Sequence, residues 1–264
     1  MPWQGAEIYL AGLAVSSDGE KIELGTKTLV GGVKGQVSAA YPFWISNEKI
    51  LFTSDASGYQ NPRSYSIPTG NSDPILPTPV KKDFSLPAWL LGESYSAVLD
   101  EEGERVLYSV MKDGRAVLYV LDAACGVLEE IESPYVEISS VRSIPKTGEV
   151  LFIGGQSSLP SDIVCLTLSS TTSPSFKTFK STSSPATSFP PGIVSTAQSI
   201  TIKVPPNNDP VHVNFYPPKN PEYSGGADGE KPPCVFGIHG GPTGISSQVL
   251  SWGKQYFTSR GWAW

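Results

Sequence analysis

The hydrophobic and polar positions of residues 1–168 form a weak repeat that predicts short β-strands. Each copy has an opening segment, a strand rich in β-branched and aromatic residues, a polar turn and a second strand. The first copy has the opening segment 39–44, the strand 49–55, a turn at Gly58 and a second strand near Tyr65. The second copy has the opening segment 84–89, the strand 104–110, the turn 112–114 and the second strand 116–122. The third copy has the opening segment 138–143 and the strands 149–155 and 162–168. Residues 6–33 are interpreted as the remains of an earlier copy.

The spacing of the copies favours a β-propeller. Trp44 and Trp89 are 45 residues apart, close to the blade period of roughly 40–50 residues. Leu51 to Val106 spans 55 residues, and Val106 to Val150 spans 44. A meander or sandwich without blade symmetry is the alternative. Because a ring needs about four to eight blades, three to four copies predict a partial propeller whose natural chain begins earlier.

A change in composition predicts the domain boundaries. From 169 to 191, 17 of 23 positions are Ser, Thr or Pro, which cannot supply a core and indicates a connector or an irregular loop. Alternation at 199–204 and 211–216 around a polar turn then predicts a hairpin. We therefore expect a partial propeller in 1–168, a connector in 169–197 and a further domain that starts in 198–264.

The end of the chain predicts a strand, a glycine loop, a helix and another strand. The apolar run 234–238 precedes a loop and fits a strand buried on both faces of a parallel sheet. The loop consists of His239, Gly240, Gly241 and Pro242. The residues that then fall at helical spacing are Val249, Gly253, Tyr256 and Phe257, with Gly261 as a stop signal. Residues 262–264 look like the opening of the next strand.

Composition and charge exclude several classes of protein. The chain has 26 glycines, 24 prolines and only 17% charged residues, which indicates many turns and argues against a helical bundle. A net charge of −6 argues against nucleic-acid binding. No apolar run is long enough to span a membrane, and no secretory signal is visible, so we expect no membrane partner and a cytoplasmic location.

The three cysteines predict neither a disulfide framework nor a zinc site. Cys125, Cys165 and Cys234 are odd in number and far apart, so we expect reduced thiols in the core. Clusters with metal-ligand spacing and phosphate-binding glycine motifs are missing from the sequence. We expect no cofactor.

The 239–242 loop is the candidate functional site. Acyl transfer develops negative charge on a carbonyl oxygen, and fixed N–H donors at that point lower the barrier by roughly a few kcal/mol. Glycines after a strand let the backbone approach a substrate without a Cβ in the way. The alternative is a tight turn that binds nothing. The strand–loop–helix context favours the oxyanion role.

Residues 217–221, 231–243 and 255–263 resemble the start of the hydrolase domain in the prolyl oligopeptidase family. The likeness is closest to its acylaminoacyl-peptidase and dipeptidyl-peptidase branch, and 52–58 resembles the blade motif of the same family. The resemblance implies a β-propeller that caps an α/β-hydrolase and Ser-His-Asp chemistry on peptides between them. It also implies that the 239–242 loop lies beside the catalytic serine.

The resemblance implies that Gly240 or Gly241 offers an oxyanion N–H. His239 stands where some relatives carry a tyrosine, so the resemblance assigns no role to its side chain. Exopeptidases of the family hold a substrate's amino terminus with acidic residues. The pair Glu129 and Glu130 lies beside an inter-strand turn, however, where a solvated face is the default.

The sequence contains no complete catalytic triad. In this fold Ser, Asp and His follow the oxyanion strand in that order, whereas the 22 residues after Pro242 hold no histidine and no Gly-x-Ser-x-Gly. His212 precedes that strand, and a structural or solvated role is the default for it. We expect the catalytic residues downstream and the isolated chain to be inactive.

These observations predict a partial β-propeller followed by the N-terminal part of an α/β-hydrolase domain, mostly β in this chain. The implied function is that of a fragment of a serine-type peptidase of dipeptidyl or acylaminoacyl exopeptidase type. Its partner would be a peptide substrate, and the full-length parent could form a homo-oligomer. A carboxylesterase-like hydrolase and a non-catalytic propeller-type interaction protein are the alternatives.

Overall fold

The computed structural model describes residues 5–89, 92–145, 147–168, 173–182, 190, 192–241 and 244–264. The chain is mostly β in these ranges. The strands are β1 Ile8–Val15, β2 Ile22–Gly31, β3 Ala39–Ser46, β4 Lys49–Ser54, β5 Asn61–Ser66, β6 Ser72–Pro74, β7 Ser96–Val98, β8 Arg105–Lys112, β9 Arg115–Asp122, β10 Leu128–Ile131, β11 Glu137–Ile144, β12 Glu149–Gly155, β13 Asp162–Thr167, β14 Ser175–Ser181, β15 Gln198–Val204 and β16 Asp209–Phe215. The described helix is α1, Trp252–Thr258.

Three consecutive four-stranded sheets form the body of the molecule. The first sheet contains β3 to β6, the second β7 to β10 and the third β11 to β14, each with its strands antiparallel and in chain order. The strands β1 and β2 form a hairpin before them, and β15 and β16 form another after them. Repeated four-stranded meanders of this kind are the units of which propellers are built.

Alternate side chains of the second sheet pack into two different cores. On β8, Val106 and Tyr108 share a cluster with Leu51 of the first sheet. Leu107, between them, shares a cluster with Phe152 of the third sheet. Because successive side chains of a strand point to opposite faces, the second sheet lies face to face between the other two.

The first sheet is covered on its other face by the β1–β2 hairpin. Val30 of β2 is 2% exposed and packs with Ile50 and Phe52 of β4. The far end of the hairpin is open to solvent, where Leu13 and Ile22 are 67% and 69% exposed. The range 6–33, interpreted from the sequence as the remains of an earlier copy, contains the two strands β1 and β2.

The residues that mark the repeat spacing in the sequence are only partly equivalent in the structure. Leu51, Val106 and Val150 do occupy equivalent places, because they lie on β4, β8 and β12, the second strand of each sheet. Trp44 and Trp89 do not, since Trp44 lies on β3 and Trp89 lies in a turn. Their spacing of 45 residues is therefore not a blade period.

The opening segment of the second copy, 84–89, is not a strand in the structure, whereas the opening segments of the other two copies lie on β3 and β11. Phe84 is fully buried, and its ring meets the Tyr108 ring edge-on with centroids 5.3 Å apart. The Ser85 and Thr53 hydroxyl oxygens lie 2.7 Å apart. The segment therefore plugs the core between the first and second sheets, and the strand that opens the second sheet is β7.

The boundary predicted at 168 is also wrong, because strand β14 lies inside the expected connector. The Ser/Thr-rich composition hid an edge strand that pairs with β13 over its whole length. Phe176 supplies its apolar contact, with its ring centroid 5.7 Å from that of Tyr135. One aromatic side chain on the inner face is sufficient, since an edge strand needs little core of its own.

The cysteines are free, as predicted, but they are not core residues. Cys125 and Cys234 are exposed and Cys165 is half-buried. The prediction of a hairpin in 199–216 is confirmed by β15 and β16, which pair from Gln198 and Phe215 to Val204 and Asp209.

We expect Tyr108→Phe to leave the free energy of unfolding unchanged or to raise it by up to about 1 kcal/mol, because the buried hydroxyl has no hydrogen-bond partner among the described residues. The matched control is Tyr119→Phe. The Tyr119 hydroxyl donates to Glu130, so its removal should cost about 1 kcal/mol. Urea unfolding measures both. A larger loss for Tyr108→Phe than for Tyr119→Phe would contradict the assignment.

Candidate functional site

The candidate loop follows the 234–238 segment, and its described residues lie on the surface. His239, Gly240 and Gly241 are all exposed. Gly241 has a φ of 72°, a left-handed conformation in which a side chain would be strained. Pro242 lies outside the described residues. The loop therefore presents bare backbone, as the oxyanion hypothesis requires.

Three short segments pair around this loop and form the start of a mixed sheet. Tyr216 and Trp264 exchange both backbone hydrogen bonds, at 2.8 and 3.0 Å, which is the pattern of an antiparallel pair. On the other side Cys234 and Ala263 form a parallel bridge. The Val235 amide donates to the Ala263 carbonyl at 2.9 Å. The predicted strand at 262–264 thus lies in the middle of the three segments.

The 234–238 segment is not a buried strand in this structure. Phe236 and Ile238 are 86% and 91% exposed, and backbone pairing is confined to the bridge at Cys234. A parallel strand is buried when elements cover both of its faces. The Trp264 ring lies against this segment at Gly237, where a Cβ would lie 3.2 Å from its indole nitrogen.

Helix α1 lies between the loop and the middle segment, as the sequence predicted, but the segments on either side of it pair only at the bridge between Cys234 and Ala263. The buried face of α1 is not the predicted apolar one. Gln255 and Thr258 are 5% and 0% exposed, whereas Tyr256 is 56% exposed. Val249 lies before the helix, which begins at Trp252.

A reciprocal pair of hydrogen bonds anchors α1. The Ser195 amide donates to Gln255 Oε1 at 2.8 Å, and Gln255 Nε2 donates to the Ser195 carbonyl at 2.8 Å. The Ser195 hydroxyl donates to the Pro217 carbonyl at 2.6 Å. Ser195 is fully buried, so all of its polar groups are satisfied inside the protein. Nothing in the local sequence pattern marks this contact across 60 residues.

Helix α1 carries a half-buried lysine, Lys254. Lys254 Nζ donates to the Tyr216 hydroxyl and to the Ser247 carbonyl, each at 3.1 Å. It also lies 4.5 Å from the centroid of the Tyr216 ring. Burial lowers the pKa of Lys254, because loss of water disfavours the charged form. These contacts hold the start of the helix against the strand pair.

The other candidate residues are occupied by structural contacts. His212 Nδ1 lies 2.9 Å from the Thr201 hydroxyl on the neighbouring strand. Glu130 accepts a hydrogen bond from Lys112 Nζ at 2.7 Å and another from the Tyr119 hydroxyl. The Lys112 contact, followed by that of Tyr119, lowers the pKa of Glu130. Glu129 is exposed.

The candidate loop lines neither of two shallow cavities of about 300 and 270 Å³ found in the structure. The first lies beside β9 and β10, and the second lies between α1 and Ile193. The described loop residues 239–241 are exposed, and an N–H donor stabilises an oxyanion far better where water is excluded. By themselves the described residues do not complete an oxyanion site.

The described residues contain no group of three His, Cys, Asp or Glu side chains placed to hold a metal ion. No helix in these ranges has the length and apolar character needed to cross a bilayer.

Solved structures match the chain, whereas no protein-family model and no curated protein does. A puromycin-hydrolysing peptidase from Mycobacterium tuberculosis is 28% identical, with a TM-score of 0.82. Puromycin hydrolase is 25% identical, with a TM-score of 0.83. Each match covers 100% of this chain but only 38% and 37%, respectively, of the matched chain. A prolyl endopeptidase, at 12% identity and a TM-score of 0.65, shows likeness of fold alone.

We expect Gln255→Ala to lower the free energy of unfolding by about 2–4 kcal/mol, because it leaves the buried amide and carbonyl of Ser195 unpaired. Tyr256→Ala, on the exposed side of the same helix, is the control and should cost less than about 1 kcal/mol. Denaturant unfolding followed by tryptophan fluorescence measures both variants. Equal losses would mean that the hydrogen-bonded pair does not anchor α1.

Proposed function

Because this chain is similar along its whole length to peptidases of the prolyl oligopeptidase family, as its motifs predicted, we propose that it forms part of a serine peptidase of this kind. The stacked sheets would be blades of the propeller. Residues 198–264 would be the start of the α/β-hydrolase domain. The neighbours are hydrolases, and the chain spans less than two fifths of their length.

The observation that carries the proposal is the parallel bridge between Cys234 and Ala263 with α1 between them. In open α/β sheets, ligands bind at the carboxyl ends of the parallel strands. The 239–241 loop follows Cys234 at that end. Its glycine amides would stabilise the negative charge that develops on a scissile carbonyl. Gly240 and Gly241 both remain candidates for the donor.

The nucleophile of the proposed reaction lies outside this chain. The Ser195 hydroxyl is not a candidate, because it is buried and donates to the Pro217 carbonyl. His212 Nδ1 is hydrogen-bonded to the Thr201 hydroxyl on the exposed hairpin, which leaves it in a structural contact. We propose that the serine, aspartate and histidine follow in the longer reading frame, in the order usual for this fold.

The proposed substrates are short peptides cleaved from the amino end, by an exopeptidase of dipeptidyl or acylaminoacyl type. The two most informative neighbours are named for the hydrolysis of puromycin, which agrees with a small substrate. Stacked blades above the catalytic domain would restrict access to short chains. A carboxylesterase would instead prefer small esters, and this difference can be measured.

A fluorophosphonate probe tests the proposal, since it labels only an activated serine. We expect stoichiometric labelling of the product of the full reading frame and none of the 264-residue chain, because the residues after Pro242 contain no Gly-x-Ser-x-Gly and no histidine. Intact-protein mass spectrometry measures the adduct. Labelling of the short chain, or an unlabelled long product, would refute the proposed location of the nucleophile.

Amide and ester substrates separate the peptidase from an esterase. With the full-length product, kcat/KM for dipeptide and acyl-aminoacyl anilides should exceed that for simple aryl esters of similar size after correction for their uncatalysed hydrolysis rates. The opposite ranking would favour the carboxylesterase.

A further inference from the structure

Residues 246–250, here called the docking segment, connect the candidate loop to helix α1. The segment consists of Ser246, Ser247, Gln248, Val249 and Leu250. It contains no helix or strand, and yet all five residues make contacts with other parts of the chain. These contacts join the third sheet to the loop.

The docking segment is held by the third sheet through three kinds of contact. The Ser247 hydroxyl donates a short hydrogen bond to Glu137 Oε2 at the start of β11. The Leu250 amide donates to the Gln156 carbonyl at 2.8 Å. Val249 packs on Gly155 at the end of β12, where a Cβ would lie 2.5 Å from a Val249 methyl carbon.

The β15–β16 hairpin holds the same segment from the other side. Asn214 Nδ2 donates to the Ser246 carbonyl at 2.9 Å. Gln248 Nε2 donates to Asn214 Oδ1 at 3.2 Å and to the Ser199 hydroxyl at 3.1 Å. The segment is thus clamped between a sheet that belongs to the repeat and the hairpin that opens the last part of the chain.

The clamp lies next to the candidate loop, with Gly244 between them. A Cβ at Gly244 would lie 2.5 Å from the Gly240 carbonyl oxygen and 2.8 Å from His239 Nδ1. The chain therefore folds closely back over the loop just before the docking segment begins. The docking segment begins two residues after Gly244, so holding Ser246 and Ser247 in place would restrain the adjoining loop.

We propose that Glu137 is a positioning residue, which fixes the 239–241 loop through Ser247. The carboxylate is a strong acceptor for a hydroxyl donor. The Ser247 oxygen in turn accepts the Val249 amide at 3.1 Å, so a single contact orders the turn. This inference rests on the proposed function, since it assigns the third sheet a part in placing the oxyanion donor.

The exposure of Glu137 allows its role in positioning the loop to be distinguished from a contribution to overall stability. Glu137 is exposed, where a hydrogen bond contributes little net stability because water competes for it. A misplacement of about 1 Å in a catalytic group can nevertheless reduce the rate strongly. We therefore expect an effect on kcat that is out of proportion to the effect on stability.

In the full-length enzyme, Glu137→Ala should lower kcat roughly tenfold with KM changed less than about twofold and the melting temperature nearly unchanged. Glu137→Gln, which keeps an acceptor oxygen, should recover most of the activity. Ser247→Ala should match Glu137→Ala, and the double variant should be no worse than either single one. Glu102→Ala, an exposed acid at the far end of the second sheet, is the matched control.

Hydrogen exchange in the 264-residue chain supplies a second readout that needs no catalysis. The Val249 and Leu250 amides should exchange roughly tenfold faster in Glu137→Ala and at the normal rate in Glu102→Ala. An unchanged exchange rate, or an unchanged kcat, would overturn the role of Glu137. If the full-length wild-type enzyme is inactive but Glu137→Ala still speeds amide exchange at Val249 and Leu250, the proposed function is overturned. The contact between Glu137 and the docking segment would then still be supported.

Discussion

Burial on both faces of the second sheet is the constraint on which the rest of the structure depends. A strand such as β8, in which Val106, Leu107 and Tyr108 are all buried, cannot be covered from one side. It needs a sheet against each face, and the first and third sheets supply them. The face-to-face order of the sheets follows from this requirement. The same order brings the start of β11 to the place where the docking segment arrives.

Much of this architecture could be predicted from the sequence, because strand patterns are local. The second strands of the three sheets, the β15–β16 hairpin and the helix after the glycine loop all appear in the hydrophobic pattern. What failed was local as well. The pattern made 84–89 equivalent to the opening segments of the other copies, but Phe84 fills a core gap instead of lying on a strand. The Ser/Thr-rich composition also concealed β14, whose backbone pairing does not depend on apolar side chains.

The surroundings of the candidate loop could not be predicted, since its contacts cross long stretches of chain. The bond from Ser247 to Glu137 spans 110 residues, and the Ser195–Gln255 pair spans 60. Polar side chains that meet across such long stretches of chain produce no periodic pattern in the sequence. The sequence could single out the 239–242 loop as the candidate site. It could not indicate that an acid on the third sheet and an amide on the hairpin hold the segment behind it.

The stack of sheets also decides how far a local disturbance can travel. The hairpin β1–β2 shares a core with the first sheet, the first with the second and the second with the third, while the described clusters do not join the hairpin to the third sheet directly. Such a row behaves as a one-dimensional array with nearest-neighbour coupling. Tyr65 lies in the core shared by the hairpin and the first sheet, and two further interfaces separate that core from the third sheet. We therefore expect a change at Tyr65 to have little effect on the 239–241 loop.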